Sequence, residues 1–269
     1  MICPMSAPSR PVAVVTGAAR GIGRAIAATL VSRGWAVVVT DADGAAAAAT
    51  AAQIGAVASL AQDVRDAGSH GVVAAEAAQH GVLTAWFNNA GVGDDGSLAE
   101  LTEDQVRRLV DVNLLGMVWG MRAALAAFGP AGGDIVNVAS LSGLGPVPGL
   151  SMYAATKAGV VSLTQSVDAE TPRSVRLHAL CPDGVDTDLV GGMDQSGLAV
   201  ALIHSGGRLL IVSEVADAAV ALVGTHRVVQ TLPAWRGGLM RFSSLAPRVS
   251  ARLVGVVAAQ GRRAMERAR

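Results

Sequence analysis

The sequence has very little tyrosine, lysine and cysteine. Of its 269 residues, one is tyrosine, one is lysine and two are cysteine, whereas 20 are arginine. Cys3 and Cys181 do not provide a disulfide framework, which is typical of a reducing compartment, so a cytoplasmic protein is expected. The five histidines lack the spacing of zinc ligands, and no metal is expected.

The sequence also lacks a long uninterrupted apolar stretch. Residues 1–10 have no apolar core of the kind found in secretory signals, so a flexible tail is expected there. The most apolar stretch, residues 109–128, is interrupted by Asp111, Asn113 and Arg122. It predicts a buried helix rather than a membrane span. Neither internal repeats nor an interdomain linker is found.

The single tyrosine and the single lysine, Tyr153 and Lys157, lie four residues apart. A helix is predicted here, and this spacing places both side chains on one of its faces. An ammonium about 4 Å from a phenolate stabilises it by roughly 1 kcal/mol in water and roughly 4 kcal/mol at an effective dielectric of about 20. Lys157 is therefore predicted to lower the pKa of Tyr153 towards neutrality, so that the phenol can exchange a proton with a substrate. Alone, the pair also fits a helical tyrosine beside a solvated lysine.

A glycine-rich turn follows the first apolar stretch, residues 11–15. A helical pattern comes next, and a second apolar stretch then ends at Asp41. This order is typical of the βαβ unit that binds a dinucleotide, with amide groups at the helix start receiving the negative charge. Gly17 permits the tight turn, Gly21 lets the backbone approach the pyrophosphate, and Gly23 lets the helix pack on the sheet.

Polar residues follow two later apolar stretches. Residues 88–91 (Asn-Asn-Ala-Gly) come after one, Ser140 comes after the other, and Asn113 lies on the helical stretch between them. In an open parallel sheet, ligands bind beyond the carboxyl ends of the strands, so these residues are expected to share one crevice. Ser140 precedes Tyr153 by thirteen residues.

This set of motifs resembles the short-chain dehydrogenase/reductase family, in its shorter single-domain branch, over residues 11–232. The resemblance implies an α/β protein with a doubly wound Rossmann fold, in which a parallel seven-stranded sheet has helices on both faces. It also implies a homodimer or homotetramer. The predicted strands lie near residues 12–16, 35–40, 56–60, 82–88, 133–139, 174–180 and 226–232.

The resemblance further implies a catalytic tetrad. Tyr153 would be the general acid/base, and Lys157 would lower its pKa and hold the nicotinamide ribose. Ser140 would hydrogen-bond the substrate oxygen, so that Ser140 and Tyr153 contact the substrate. Asn113 would position a water that links Lys157 to solvent.

The resemblance also implies which residues contact a nicotinamide cofactor. Asp41 favours NAD, because a carboxylate accepts hydrogen bonds from the ribose hydroxyls and repels a 2′-phosphate, whereas Arg20 favours NADP. Asp183 replaces the family's usual glycine after Pro182, so the resemblance does not predict the backbone conformation at this position. The predicted contacts are Gly17, Arg20, Gly21, Ile22, Gly23, Asp41, Asp63, Val64, Asn89, Ala90, Gly91, Tyr153, Lys157, Pro182, Val185 and Thr187.

The substrate is indicated only by apolar residues in 189–210, the segment that corresponds to the family's variable substrate lid. They favour a hydrophobic secondary alcohol or ketone, such as a steroid, a terpenoid or an acyl-chain compound, with NAD as cofactor. One alternative is an NADPH-dependent carbonyl or 3-oxoacyl reductase. Another is a nucleotide-binding sensor without turnover, which would be expected to have lost Ser140, Tyr153 or Lys157.

The end of the chain is strongly basic. Residues 236–269 hold eight arginines and one acid, Glu266, a net charge of +7, which leaves −7 for residues 1–235. Val249, Leu253, Val256 and Val257 have helical spacing, with arginines offset from them. We predict a Rossmann domain over 11–235 and a basic, amphipathic helical extension over 236–269. Packing on its own domain or on a partner subunit is the favoured interpretation, and contact with an anionic membrane surface is the alternative. Nucleic acid is not an expected partner.

Overall fold

The computed structural model describes residues 10–268, which form a seven-stranded sheet with helices on both faces. All neighbouring strands are parallel and their order is β3-β2-β1-β4-β5-β6-β7, so the predicted doubly wound fold is confirmed. The strands are β1 (Pro11–Thr16), β2 (Ala36–Asp41), β3 (Ala58–Ala61), β4 (Val82–Asn88), β5 (Gly133–Val138), β6 (Val175–Pro182) and β7 (Val229–Leu232).

Eleven α-helices are present in the described part of the chain. They are α1 (Gly21–Ser32), α2 (Gly44–Ile54), α3 (Ala67–Gln79), α4 (Glu103–Val110), α5 (Gly116–Ala127), α6 (Ser151–Glu170), α7 (Asp188–Gly191), α8 (Leu198–His204), α9 (Val212–Val220), α10 (Ala234–Leu245) and α11 (Pro247–Ala268). A π-helical turn, Asp111–Leu115, joins α4 to α5, and a 3-10 turn, Leu141–Leu144, follows β5.

The central strands are buried on both faces. In β1, Ala13 and Val15 pack against α1 and α9, whereas Val12 and Val14 point to the opposite layer, which α3 and α5 cover. Successive side chains of a strand alternate between faces, so a strand enclosed in this way needs apolar residues at every position. This explains the continuous apolar stretches of the sequence.

The helical region Glu103–Ala127 is long and apolar enough to cross a membrane by length and composition alone. In the fold its α5 part covers the sheet, with Met117, Met121 and Ala124 buried. It is a helix of the protein core, as predicted for residues 109–128.

The two ends of the chain differ in how much of each the structure describes. Of the predicted N-terminal tail only Arg10 lies within the described residues, and its Nε donates to Gly34 O over 3.0 Å. Residues 1–9, including Cys3, lie outside them. At the other end, α11 packs on α8, where a Cβ added to Gly261 would overlap Ala201 O. The boundary at residue 235 between the Rossmann domain and the C-terminal extension stays a prediction.

Candidate active site

The glycine turn between β1 and α1 has the conformation that its sequence predicts. Gly17 and Gly21 have φ of +62° and +55°, values that favour glycine. A Cβ on Gly23 would overlap Gly17 O and Asn89 Nδ2. Asn89 Nδ2 donates to Thr16 O over 3.0 Å and to Gly17 O over 2.9 Å. The loop after β4 therefore holds the turn in place.

Asp41 lies beside this turn at the end of β2. Its carboxylate accepts hydrogen bonds from the backbone N–H groups of Ala19 (3.1 Å) and Asp43 (3.2 Å). The Arg20 side chain extends towards α7, where its Nη1 lies 3.4 Å from Asp188 Oδ2. The turn, its backbone N–H groups and the Asp41 carboxylate fit the phosphates and adenosine ribose of a dinucleotide.

Asp63 and Val64, two of the predicted cofactor contacts, lie beyond the end of β3. Arg65 Nη2 is 2.6 Å from Asp63 Oδ2, and this hydrogen-bonded pair holds the pKa of Asp63 below its usual value. Val64 is buried, and its carbonyl lies 3.0 Å from His70 Nε2. Both residues line the same cleft as Asp41.

Asn113 is buried on the π-helical turn, an irregularity that often occurs at functional sites. Its Oδ1 accepts from Val92 N over 2.8 Å, and its Nδ2 donates to Val92 O over 2.9 Å. A Cβ on Gly91 would lie 3.3 Å from Asn113 Oδ1 and 3.6 Å from Lys157 Nζ. Asn113 thus anchors the loop after β4 beside Lys157, and its predicted role in positioning a water stays a prediction.

Ser140, Tyr153 and Lys157 meet at the carboxyl end of β5. Ser140 caps the 3-10 turn, with its Oγ accepting from Ser142 N over 3.2 Å. Tyr153 and Lys157 lie on α6, where Lys157 Nζ is 5.6 Å from the centroid of the Tyr153 ring. The same Nζ donates to Val138 O over 2.9 Å.

The predicted lowering of the Tyr153 pKa by Lys157 stays a prediction, and burial of the two side chains acts against it. Burial raises the pKa of the Tyr153 phenol to about 12, although the neighbouring Ser140 hydroxyl opposes the shift. Burial also lowers the pKa of Lys157 to about 8. Desolvation disfavours the charged form of both groups, and the ammonium interacts with a backbone carbonyl rather than with the phenol oxygen. At neutral pH the phenol is protonated and Lys157 is mainly charged.

Asp183, which replaces the usual glycine after β6, forms a largely buried ion pair. Arg236 Nε lies 2.6 Å from Asp183 Oδ2, and Arg236 Nη1 also donates to Ser205 Oγ over 3.2 Å. Burial raises the pKa of Asp183, against the opposing charge of Arg236. Asp183 N still donates to Leu232 O over 2.8 Å, so the chain continues the β6 pairing at this residue. The ion pair links the loop after β6 to α10.

One cleft of about 1250 Å³ contains nearly the whole predicted site. Gly23 and Asn113 do not line it and instead support its wall from behind. Its lining also includes apolar residues that the sequence did not assign to the site, from α10 and α11. The predicted residues in its lining are Gly17, Arg20, Gly21, Ile22, Asp41, Asp63, Val64, Asn89, Ala90, Gly91, Ser140, Tyr153, Lys157, Pro182, Val185 and Thr187.

The structure has the features of a dinucleotide-binding oxidoreductase. It combines a doubly wound sheet with a glycine turn that leaves open space above Gly21, and one cleft contains a serine, a tyrosine and a lysine. The family model described as short chain dehydrogenase matches residues 11–196. The chain belongs to the short-chain dehydrogenase/reductase family.

Individual relatives agree with this assignment. Sorbitol dehydrogenase of Cereibacter sphaeroides is 38% identical over 68% of this chain and 73% of its own. Cyclohexanol dehydrogenase of Acinetobacter sp. (strain SE19) is 34% identical over 77% and 84%. A short chain dehydrogenase/reductase from Burkholderia phymatum, solved in complex with NAD, superposes with a TM-score of 0.79 at 26% identity, over 90% of this chain and 95% of its own. The chain is an oxidoreductase enzyme of this family.

Proposed function

We propose that this enzyme interconverts an apolar secondary alcohol and its ketone with NAD as cofactor, and that Tyr153 transfers the proton. The observation that carries the proposal is the position of Ser140, Tyr153 and Lys157 in the same cleft as the glycine turn and Asp41. A proton donor and a dinucleotide site in one cleft suit hydride transfer coupled to proton transfer.

The side chains divide the chemistry between them. NAD(H), when bound, supplies or accepts the hydride at the substrate carbon. Tyr153 gives its phenolic proton to the substrate oxygen in ketone reduction and takes it back in alcohol oxidation. Ser140 donates a hydrogen bond to that oxygen as negative charge develops on it. Lys157, held by Val138 O, provides the nearby positive charge that stabilises the phenolate during oxidation.

Asp41 supports NAD rather than NADP. Its carboxylate at the end of β2 would accept hydrogen bonds from the ribose hydroxyls and repel a 2′-phosphate. Arg20, the basic residue of the turn, lies 3.4 Å from Asp188. We expect kcat/KM to be higher with NAD⁺ than with NADP⁺, and Asp41→Ala to reduce this ratio at least about tenfold, because a like-charge contact of more than about 1.4 kcal/mol is removed. Steady-state kinetics with both cofactors measure the ratio.

Asp43→Ala is the matched control, because it removes the next carboxylate along the chain, which caps α2 through Ala46 N. It should leave the cofactor ratio unchanged. A higher kcat/KM with NADP⁺ in the unmodified enzyme would contradict the assignment to NAD.

The NADPH-dependent carbonyl or 3-oxoacyl reductase remains the second candidate. The observation in its favour is that Arg20 and Arg65 both line the cleft. Each is already paired with an acid, Asp188 and Asp63 respectively, and an added phosphate would have to compete with that acid. The cofactor measurement therefore also separates these two functions.

The substrate end of the cleft supports an apolar alcohol. Its lining there is rich in aliphatic side chains, and one relative is named for cyclohexanol.

For a series of secondary alcohols that differ by one methylene, we expect kcat/KM to rise about fourfold per methylene, the equivalent of about 0.8 kcal/mol of buried apolar surface. The absorbance of the NADH that forms follows the reaction. A preference for sorbitol over every apolar alcohol would refute this substrate class. The apolar lining residues are Val147, Leu150, Leu189, Val190, Met193, Leu202, Ile203, Leu239, Met240, Phe242, Val249, Leu253, Val254 and Val257.

A further inference from the structure

Half of the large apolar side chains that are exposed in the described part of the chain lie on α10 and α11. Together they form what we call the C-terminal face: Trp235, Leu239, Phe242, Leu245, Val249, Leu253 and Val256. Leu245 is 82% exposed and Val256 is 67% exposed. Soluble surfaces rarely gather apolar residues in this way unless something covers them.

The C-terminal face is not the side on which α11 packs. Ala258 is buried and Gly261 touches the backbone of α8, whereas Val249, Leu253 and Val256 repeat at helical spacing on the opposite side of the helix. On α10, Trp235, Leu239 and Phe242 follow the same spacing. The core of the domain therefore covers one side of α11 and leaves the other side open.

Arginines surround the apolar residues of this face. Arg241, Arg248, Arg252, Arg262, Arg263 and Arg267 are all exposed, and Glu266 is the only acid in residues 236–269. Exposed apolar side chains flanked by arginines are typical of helices that lie in the interface of an anionic bilayer. There the apolar groups enter the acyl region, while the arginine stems extend towards the headgroups.

We propose that α10 and α11 dock the enzyme on an anionic lipid surface, with the C-terminal face against the membrane. Charge favours lipid over a second copy of the chain. A symmetric contact would place the same patch on both subunits, so that both sides of the contact would carry the positive charge of Arg241, Arg248 and Arg252. A bilayer with anionic headgroups instead attracts each of these arginines.

Docking in this way also orients the cleft. Leu239, Phe242, Val249 and Leu253 belong both to the C-terminal face and to the cleft that contains Tyr153. The mouth of the cleft then lies against the membrane, and an alcohol dissolved in lipid reaches Tyr153 without crossing water. This second step rests on the proposed function, whereas the docking itself does not.

Vesicle flotation with the full-length protein tests the docking. The protein should float with vesicles of equal parts phosphatidylcholine and phosphatidylglycerol, should remain below with pure phosphatidylcholine, and should be released by high salt. Arg248→Glu combined with Arg252→Glu should lower the partition coefficient at least about tenfold, since each arginine near the surface contributes about 1 kcal/mol. Leu245→Ser combined with Val256→Ser should have a similar effect by removing inserted apolar groups.

Matched controls are available elsewhere on the surface. Val72→Ser combined with Leu98→Ser removes two apolar side chains that are 61% and 60% exposed, far from α10 and α11 in sequence. This variant should float like the unmodified protein. Neither Leu245 nor Val256 lines the cleft, so oxidation of a water-soluble alcohol should be unchanged in their double variant, and this assay reports separately on the proposed function.

Two results would overturn the docking proposal. One is that the protein floats equally well with neutral and anionic vesicles, or that it floats with neither. The other is an oligomer, measured by light scattering, that the Leu245→Ser and Val256→Ser pair dissociates while the unmodified protein binds neither vesicle. That outcome would show that a second copy covers the C-terminal face.

Discussion

Tyr153→Phe should lower kcat/KM for alcohol oxidation by about 10²- to 10⁴-fold, the range typical of a lost general acid/base. The substitution removes the phenolic oxygen and leaves the ring, so packing against neighbouring residues is kept. The expected loss corresponds to about 3 to 5 kcal/mol of transition-state stabilisation. Steady-state kinetics on the best alcohol of the series measure it.

Two further measurements show whether the loss of activity in Tyr153→Phe comes from the missing phenolic oxygen. NAD binding to Tyr153→Phe, followed by calorimetry, should stay close to that of the unmodified enzyme, because the glycine turn and Asp41 are untouched. Ser166→Ala, an exposed change on the same helix whose hydroxyl bonds only Ser162 O, should retain full activity. Unchanged kinetics in Tyr153→Phe would mean that another group transfers the proton.

Asp134→Ala should lower the free energy of unfolding by about 3 to 5 kcal/mol, because it removes a buried carboxylate and leaves the partly buried Arg176 and the buried His178 without their hydrogen-bond acceptor. Asp134 is buried at the start of β5, where it accepts from Arg176 Nε (2.8 Å) and Nη2 (2.7 Å), from His178 Nε2 (3.0 Å) and from Gly224 N (3.0 Å). Urea denaturation measures the change. Asp217→Ala, which breaks an exposed pair with Arg33, should cost only about 0 to 1 kcal/mol.

The same carboxylate predicts how stability depends on pH. Burial alone would raise the pKa of Asp134, but the hydrogen bonds from Arg176, His178 and Gly224 together lower it to about 2. A lowered folded-state pKa means that the stabilisation is complete above the unfolded value of about 3.9. It is lost as the pH falls from there through about 2. Asp134→Asn should therefore show a smaller loss of stability between these two pH values, and an equal loss in both proteins would contradict the assignment.

Local signals account for most of the fold and of the cofactor site that the sequence predicted. The glycine turn depends on backbone conformation within a few residues, so Gly17, Gly21 and Gly23 could be assigned from their spacing. Strands enclosed on both faces require continuous apolar stretches, and six of the seven predicted strands start and end within two residues of the observed ones. Only β7, predicted from residue 226, begins three residues later at Val229.

What the sequence missed depends on contacts between distant residues. Asp183 and Arg236 are 53 positions apart, and no local pattern indicates that they pair. The amphipathic pattern of residues 249–257 predicted a helix with an apolar side, but it contained no information on which cavity that side borders. The effect of burial on the pKa of Tyr153 was not predicted, because a spacing of four residues shows how near Lys157 lies but not how far the folded chain desolvates the phenol.

The close contact between Gly261 and Ala201 joins α11 to α8, which lies within the segment that corresponds to the family's substrate lid. Because glycine leaves no side chain between the two helices, they pack backbone against backbone. We therefore expect α8 and α11 to move together when substrate enters, a collective movement that is slower than the motion of a single loop. A contact that restrains the outer side of α11 is then expected to slow product release.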